Sequence, residues 1–176
     1  MTTSQPIKDV EMINRIKDLF LNKGQMCGYL LFVLSINTGI KLKELLDLKV
    51  KDVKNKQYLK YDKSKTVPLS PQIQKVIKEV VDKSKMDEPL FKNRQGQPLD
   101  RISVFYVFKQ ICSELGVQNE YSVSSWRKTF AYHYYRKYKD LAYLQWLFNQ
   151  SSVEQALKYI GQDENMNLRY REGVCL

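Results

Sequence analysis

The sequence holds a single histidine, His133, among 176 residues, and only three cysteines. A centre built on several histidines is thereby excluded, and Cys27, Cys112 and Cys175 lie too far apart for a C-x2-C metal knuckle. Three separated cysteines cannot all pair within one chain, which fits a reducing, cytoplasmic setting. No G-x-x-x-x-G-K or G-x-G-x-x-G stretch occurs, so the usual phosphate-loop nucleotide enzymes are out. Long apolar runs are missing too. The longest, Met26 to Ile36, is eleven residues interrupted by Gly28 and Ser35, whereas a membrane span needs roughly twenty. Met1 to Asp9 is polar and carries no signal-like apolar core. Acidic residues are the last shortage: 19 of them against 29 Lys and Arg leave a net charge of +10.

What remains is a chain able to build a core, with 43% hydrophobic and 12% aromatic residues. No repeat, low-complexity tract or Pro/Gly-rich linker divides it, so residues 1–176 read as one domain. Met12, Ile13, Ile16, Leu19 and Phe20 follow helical spacing, with Gly24 as a stop. Cys27 to Ile36 reads as a core helix, and Thr38-Gly39 turns the chain into a third helix through Leu45, Leu46 and Leu48. Gln57–Tyr61 and Lys65–Leu69 flank a polar turn and predict a β-hairpin. Helices resume at Ser70-Pro71, at Asp100, at Ser124 or Ser125, and at Asp140. The Ser151-Ser-Val-Glu154 box opens a last one that Gly161 stops. The fold class is therefore mixed α+β, predominantly helical, with one small antiparallel sheet.

Between Lys41 and Lys65 stand nine lysines against four acids. Such a hairpin region can lie along a phosphate backbone and release counterions. A solvated sheet edge guarded by lysines accounts for the same residues, and charge alone leaves both open.

Five segments, in order, resemble the catalytic domain of tyrosine recombinases, the phage integrase family. Thr38-Gly-Ile-Lys-Leu-Lys-Glu-Leu45 looks like T-G-x-R-x-x-E-L, and Lys60-Tyr-Asp-Lys-Ser-Lys-Thr-Val-Pro68 like the hairpin K-x-x-K-x-x-x-V-P. Leu90-Phe91 with Gly96-Gln-Pro-Leu99 looks like the linker that follows. Ser124-Ser-Trp-Arg-Lys-Thr-Phe-Ala131 resembles H-x-x-R-H-x-F-A, and Leu147-Phe-Asn-Gln-Ser-Ser152 through Tyr159 resembles L-x-G-H-S-S with its later tyrosine. Each box alone is weak, but their order and spacing run through nearly the whole chain. The family's N-terminal DNA-clamping domain is not expected here, since the chain starts where the catalytic domain does.

The resemblance implies DNA strand breakage and rejoining, as in recombination or integration by a mobile genetic element, on double-stranded DNA, with a homo-oligomer assembled on the DNA. No metal or other cofactor is implied. In that chemistry a tyrosine attacks a phosphodiester, leaving a 3′-phosphotyrosyl link and a free 5′-hydroxyl. Arginines clamp the phosphate oxygens, a hairpin lysine protonates the leaving oxygen and a histidine handles the tyrosine proton.

Residue by residue, the resemblance puts Tyr159 at the nucleophile, Arg127 at the second arginine and Lys60 at the hairpin acid. On the last helix Val153, Ala156, Leu157 and Ile160 form one stripe, so Tyr159 projects to its side with an accessible hydroxyl. A packing tyrosine is the alternative in a chain with twelve of them. Trp126 begins the apolar series Trp126, Phe130, Tyr134, so Arg127 points off the core face, either to a phosphate or simply to solvent. Three positions depart from the pattern. Lys41 replaces the first arginine and loses its bidentate fork, and Ser124 replaces the first histidine and removes the base near neutral pKa. Gln150 replaces the second histidine and can still donate. His133 falls outside the catalytic set and reads as structural.

Lys43, Lys54, Lys56, Lys63, Lys65 and Lys128 are expected to face DNA. Whether the chain is an enzyme stays open. Its rivals are a non-cutting DNA-binding regulator, a relaxase-like nicking protein, and a helical adaptor that ignores DNA. The charge supplies a direct test. Duplex affinity measured by anisotropy should fall steeply between low and moderate salt, and glutamine at Lys54, Lys56 and Lys63 should flatten that slope. Salt-insensitive binding would contradict a basic DNA face.

Overall fold

The computed structural model describes residues 4–61, 65–82, 84–93 and 95–161; Lys63 therefore lies outside the described residues. Helix α1 (Val10–Asn22) begins where the Asp9 carboxylate accepts from the Glu11 and Met12 amides. Helix α2 (Met26–Thr38) is buried along Leu30 to Ser35, and Gly39 ends it in the left-handed region at φ +67°. Two short helices follow, α3 (Leu42–Leu46) and α4 (Val50–Val53). Helix α4 has too few residues for a periodicity to reveal it. Instead the Asp52 carboxylate holds it by accepting from the Lys49 amide at 2.8 Å.

The expected hairpin is present as antiparallel strands β1 (Tyr58–Lys60) and β2 (Thr66–Pro68), with Lys60 opposite Thr66. Leu59 points into the core, so strand alternation turns Tyr58 and Lys60 outward. Helix α5 (Pro71–Val81) starts as expected, with the Ser70 hydroxyl accepting from Ile73 and Pro71 inside the first turn. Asp100 caps α6 (Arg101–Glu114), and Asp140 caps α8 (Leu141–Phe148). Between them, α7 (Val123–Tyr138) starts slightly earlier than the serines suggested, because Ser122 caps it and Ser125 returns the hydrogen bond. The last described helix, α9 (Val153–Tyr159), is capped by Ser152 rather than Ser151.

Trp126 organises the core. At 1% exposure it meets Phe32 and Phe108 edge-on, at 5.4 and 5.0 Å between ring centres, with Phe20 at 6.5 Å. A second apolar cluster joins Ala131, Tyr132 and Tyr135 of α7 to Leu144, Leu147 and Phe148 of α8 and to Leu157 and Ile160. Two expectations change here. Val153 is 42% exposed rather than part of the α9 stripe, since it stands in the first turn, beyond the reach of α8. Phe130 and Tyr134 are only half-buried, because α7 packs on several sides and spends Thr129, Ala131, Tyr132 and Tyr135 on them.

The chain before α1 lies across α7. Ile7 is fully buried, its amide donates to Thr129 Oγ1 at 2.9 Å, and its carbonyl meets His133 Nε2 at 3.0 Å. His133 is thus structural, as the sequence suggested. Because Trp126 touches three aromatic rings, Trp126→Ala should cost about 3–5 kcal/mol of folding stability in urea unfolding. A loss below 1 kcal/mol would mean that the ring is not the keystone described.

Candidate phosphate site

The site grows from a backbone turn. Gly39 occupies a left-handed conformation where a Cβ would lie 2.5 Å from Phe130 Cδ1, so glycine is required on two counts. Its carbonyl is left facing α7, where it accepts from Arg127 Nε at 2.6 Å. Arg127 also donates through Nη2 to the Leu147 carbonyl at 3.3 Å and lies 4.3 Å above the Phe148 ring. Leu147 stands in the last turn of α8, whose final carbonyls have no partner inside the helix. Arg127 therefore ties the α2–α3 turn, α7 and the end of α8 together. A guanidinium has five donors, so it keeps N–H groups for a ligand.

Tyr159, at the end of α9, packs its ring at 5.0 Å from Phe148, with Lys128 Nζ 5.5 Å from the ring centre on α7. Burial pushes its phenol above the usual tyrosine range, while the charge of Arg127 and its hydrogen bond pull it back. Lys41, Ser124, Arg127 and Tyr159 all line one cavity of about 770 Å³, together with Arg101 and the apolar side chains Ile102, Phe105 and Tyr106 of α6. A narrow adjoining cleft is lined by Lys41, Lys65, Arg127 and Asn149. Four of the six candidate catalytic residues thus meet, although 118 positions separate Lys41 from Tyr159. Tyr159 is half-buried: it lines the cavity while its ring packs on Phe148.

The other two stand apart. Lys60 is exposed on the outer face of β1 and lines neither cavity, whereas Lys65 of the same hairpin does. Gln150 lines neither cavity either: its Nε2 donates to the Gln155 carbonyl at 3.4 Å, and its Oε1 is buried without a partner. Ser124 shares 2.7 Å hydrogen bonds with the Ser4 and Ser122 hydroxyls.

The expected DNA-facing lysines divide. Lys43 and Lys56 are exposed. Lys54 is half-buried, with Nζ 3.4 and 3.5 Å from the Val81 and Asp82 carbonyls at the end of α5. Lys128, expected as an exposed contact, is instead only 9% exposed and donates to the Ser4 carbonyl at 2.7 Å. Burial lowers its pKa, and its position between the N-terminal segment and Tyr159 explains the correction. Arg101 was not foreseen, because at the head of α6 it carries no motif. The exposed triplet Ile102, Phe105, Tyr106, at i, i+3, i+4 on the face opposite Val104 and Phe108, was the available signal. Among the described residues no group of His, Cys, Asp and Glu is arranged to hold a metal. No described helix is long and apolar enough to cross a membrane.

This arrangement has counterparts. The family model described as Phage integrase family matches residues 8–166. The Probable integrase/recombinase YoeC of Bacillus subtilis (strain 168) is 35% identical over 167 residues, 92% of this chain and 91% of that protein. Tyrosine recombinase XerD of Corynebacterium glutamicum is 28% identical over 127 residues, 66% of this chain and 42% of its own length. Among solved structures, XerA recombinase superposes with a TM-score of 0.76 at 16% identity, covering 100% of this chain and 66% of the other. XerH bound to palindromic difH gives 0.74 at 21%, covering 98% and 54%. The mostly helical fold with its two-stranded sheet is that of tyrosine-recombinase catalytic domains. The chain spans less than two thirds of XerD and of both solved chains, but nearly all of YoeC.

Gly39→Ala tests how the turn holds the site. A side chain there meets Phe130 and strains φ, so the variant should lose about 1–3 kcal/mol in denaturant unfolding. Wild-type stability in that variant would show that the turn relaxes freely.

Proposed function

The chain belongs to the phage integrase family, and from that premise we propose that it binds double-stranded DNA over the cavity holding Lys41, Arg127 and Tyr159 and transfers a DNA strand onto Tyr159. The observation that carries this reading is the meeting of Arg127 and Tyr159 on one cavity wall, with the guanidinium held there by the Gly39 and Leu147 carbonyls. The Tyr159 phenol gives up its proton to solvent, its oxygen attacks phosphorus, the bond to the 5′-oxygen breaks, and Lys60, swung in from the outer face of the hairpin, supplies the proton that leaves a 5′-hydroxyl. Attack by that hydroxyl on the phosphotyrosyl link reverses the step and rejoins the strand. Arg127 and Lys41 neutralise the non-bridging oxygens, and Gln150 donates to them after leaving the Gln155 carbonyl. Lys43, Lys56, Lys63 and Lys65 follow the flanking backbone, with Lys54 contributing charge from its seat on α5. A homo-oligomer on DNA fits the same reading; a lambda integrase dimer bound to its core site shares this fold.

The departures make the reaction slow. A serine hydroxyl at position 124 does not take a proton near neutral pH, and lysine at 41 gives no bidentate clamp. Because burial raises the Tyr159 phenol, the neutral form dominates at pH 7, and each unit by which pH rises toward its pKa multiplies the phenolate about tenfold. A nicked suicide duplex should therefore trap a denaturant-resistant adduct whose formation rate climbs between pH 7 and 9. Tyr159→Phe should abolish the adduct and keep DNA binding. Lys41→Arg with Ser124→His should raise the rate by roughly 10²-fold or more. The turned-away Gln150 amide favours a second reading, a DNA-binding regulator that does not cut. That reading prevails if the double variant binds the duplex and forms no adduct.

A further inference from the structure

Helices α7 and α8 share a ladder of rings. Tyr138 lies tilted 4.8 Å from Tyr134, Tyr134 stacks at 4.8 Å on Tyr143, and Tyr143 lies tilted 5.7 Å from Trp146. The two middle rings are half-buried and serve the packing of α7 on α8. The end rings do not, since Trp146 is 53% exposed and Tyr138 is 56% exposed. An exposed tryptophan is costly in water unless something covers it. What lies over Trp146 is a single flexible ammonium, Lys65 Nζ, 4.9 Å from the ring centre.

The same ammonium lies 3.5 Å from the Leu147 carbonyl, the oxygen that also accepts from Arg127. Lys65 further lines the cleft shared with Lys41 and Arg127. Lys65 thus links the Trp146 ring to the cleft that Lys41 and Arg127 line. Both of the lysine's contacts are weak and easily exchanged for a phosphate oxygen. At the other end of the ladder stand Arg136, Lys137 and Lys139, with Lys137 Nζ 5.0 Å from the Tyr138 ring centre. A flat aromatic face flanked by cations next to a phosphate clamp suits a nucleobase, which offers a π-face whatever its identity. A base inside a paired, stacked duplex cannot present that face.

We propose that Trp146 is a stacking seat for an unpaired DNA base whose neighbouring phosphate is held between Lys65 and Arg127. The inference rests on the reading that this face binds DNA, and it narrows the preferred substrate to DNA opened beside the site. Lys65 moves from the ring to the phosphate, and the base takes its place on the indole.

The two tryptophans make the test direct, because Trp126 is sealed in the core and Trp146 is exposed. The full chain is titrated, by anisotropy and tryptophan emission, with a duplex carrying a short unpaired bubble and with the same duplex fully paired. The bubble should bind roughly tenfold tighter and quench emission. Trp146→Phe should remove the quench but keep most of the preference. Trp146→Ala should lower bubble affinity to that of the paired duplex and leave paired binding unchanged. Equal affinities without a quench overturn the stacking seat while leaving the DNA reading intact. Failure to bind either DNA at low salt overturns both. A quench that grows with protein concentration in the absence of DNA assigns the ring to a second copy of the chain, and the seat is again overturned.

Discussion

A guanidinium pinned at 2.6 Å to the Gly39 carbonyl joins the α2–α3 turn, α7 and the end of α8 at one point. Arg127 reaches the α2–α3 turn, the last turn of α8 and the Phe148 ring at once, and each contact fixes a different direction of its plane. One residue earlier, about 100° round the helix, Trp126 drives the neighbouring face of α7 into the aromatic core. The inward indole and the outward guanidinium therefore set the helix's depth and rotation together. Lys41, Ser124 and Tyr159 find their places around that fixed point. A lysine at 127 could not do this, since a single ammonium has no rigid fork with which to join two carbonyls and still face a ligand.

Tyr159 is held by packing and by charge at once. Its ring lies against Phe148 and near the Lys128 ammonium, which leaves little freedom to the aromatic plane. Burial favours the neutral phenol, and Arg127 favours the ionised one. Burial wins, so the group rests protonated. The buried Cys112, pushed up to about 12 by burial alone, has no such counterweight and behaves as an apolar residue.

What was legible in the sequence follows the range of each interaction. The caps at Ser70, Asp100 and Asp140 were readable because a cap bonds an amide only two or three residues away. The hairpin was readable from two short runs around a polar turn. Helix α4 has a single turn and thus no period, and Val153 has the right residue type but no helix above it. For the site, motif order picked out Lys41, Ser124, Arg127 and Tyr159, which line one cavity. It could not foresee that Lys128 would be spent on the Ser4 carbonyl or Lys54 on the end of α5. A lysine's sequence neighbours do not reveal which backbone oxygens approach it. The Gly39 and Leu147 carbonyls, which do most of the positioning, were invisible for the same reason: every residue has one.

The acceptors that hold Arg127 are neutral. Among the described residues no carboxylate forms an ion pair with it, and Lys41 meets only Glu44, at 4.0 Å. Carbonyl dipoles orient the cations without cancelling them, so positive charges gather around one cavity and repel one another in the unliganded fold. The folded chain thus carries an electrostatic load that an anion relieves. Folding and occupancy become linked quantities, because any polyanion that binds the native state but not the unfolded chain draws the equilibrium toward the native state. For any anion that does occupy that cavity, the melting temperature becomes a property of the buffer as well as of the sequence.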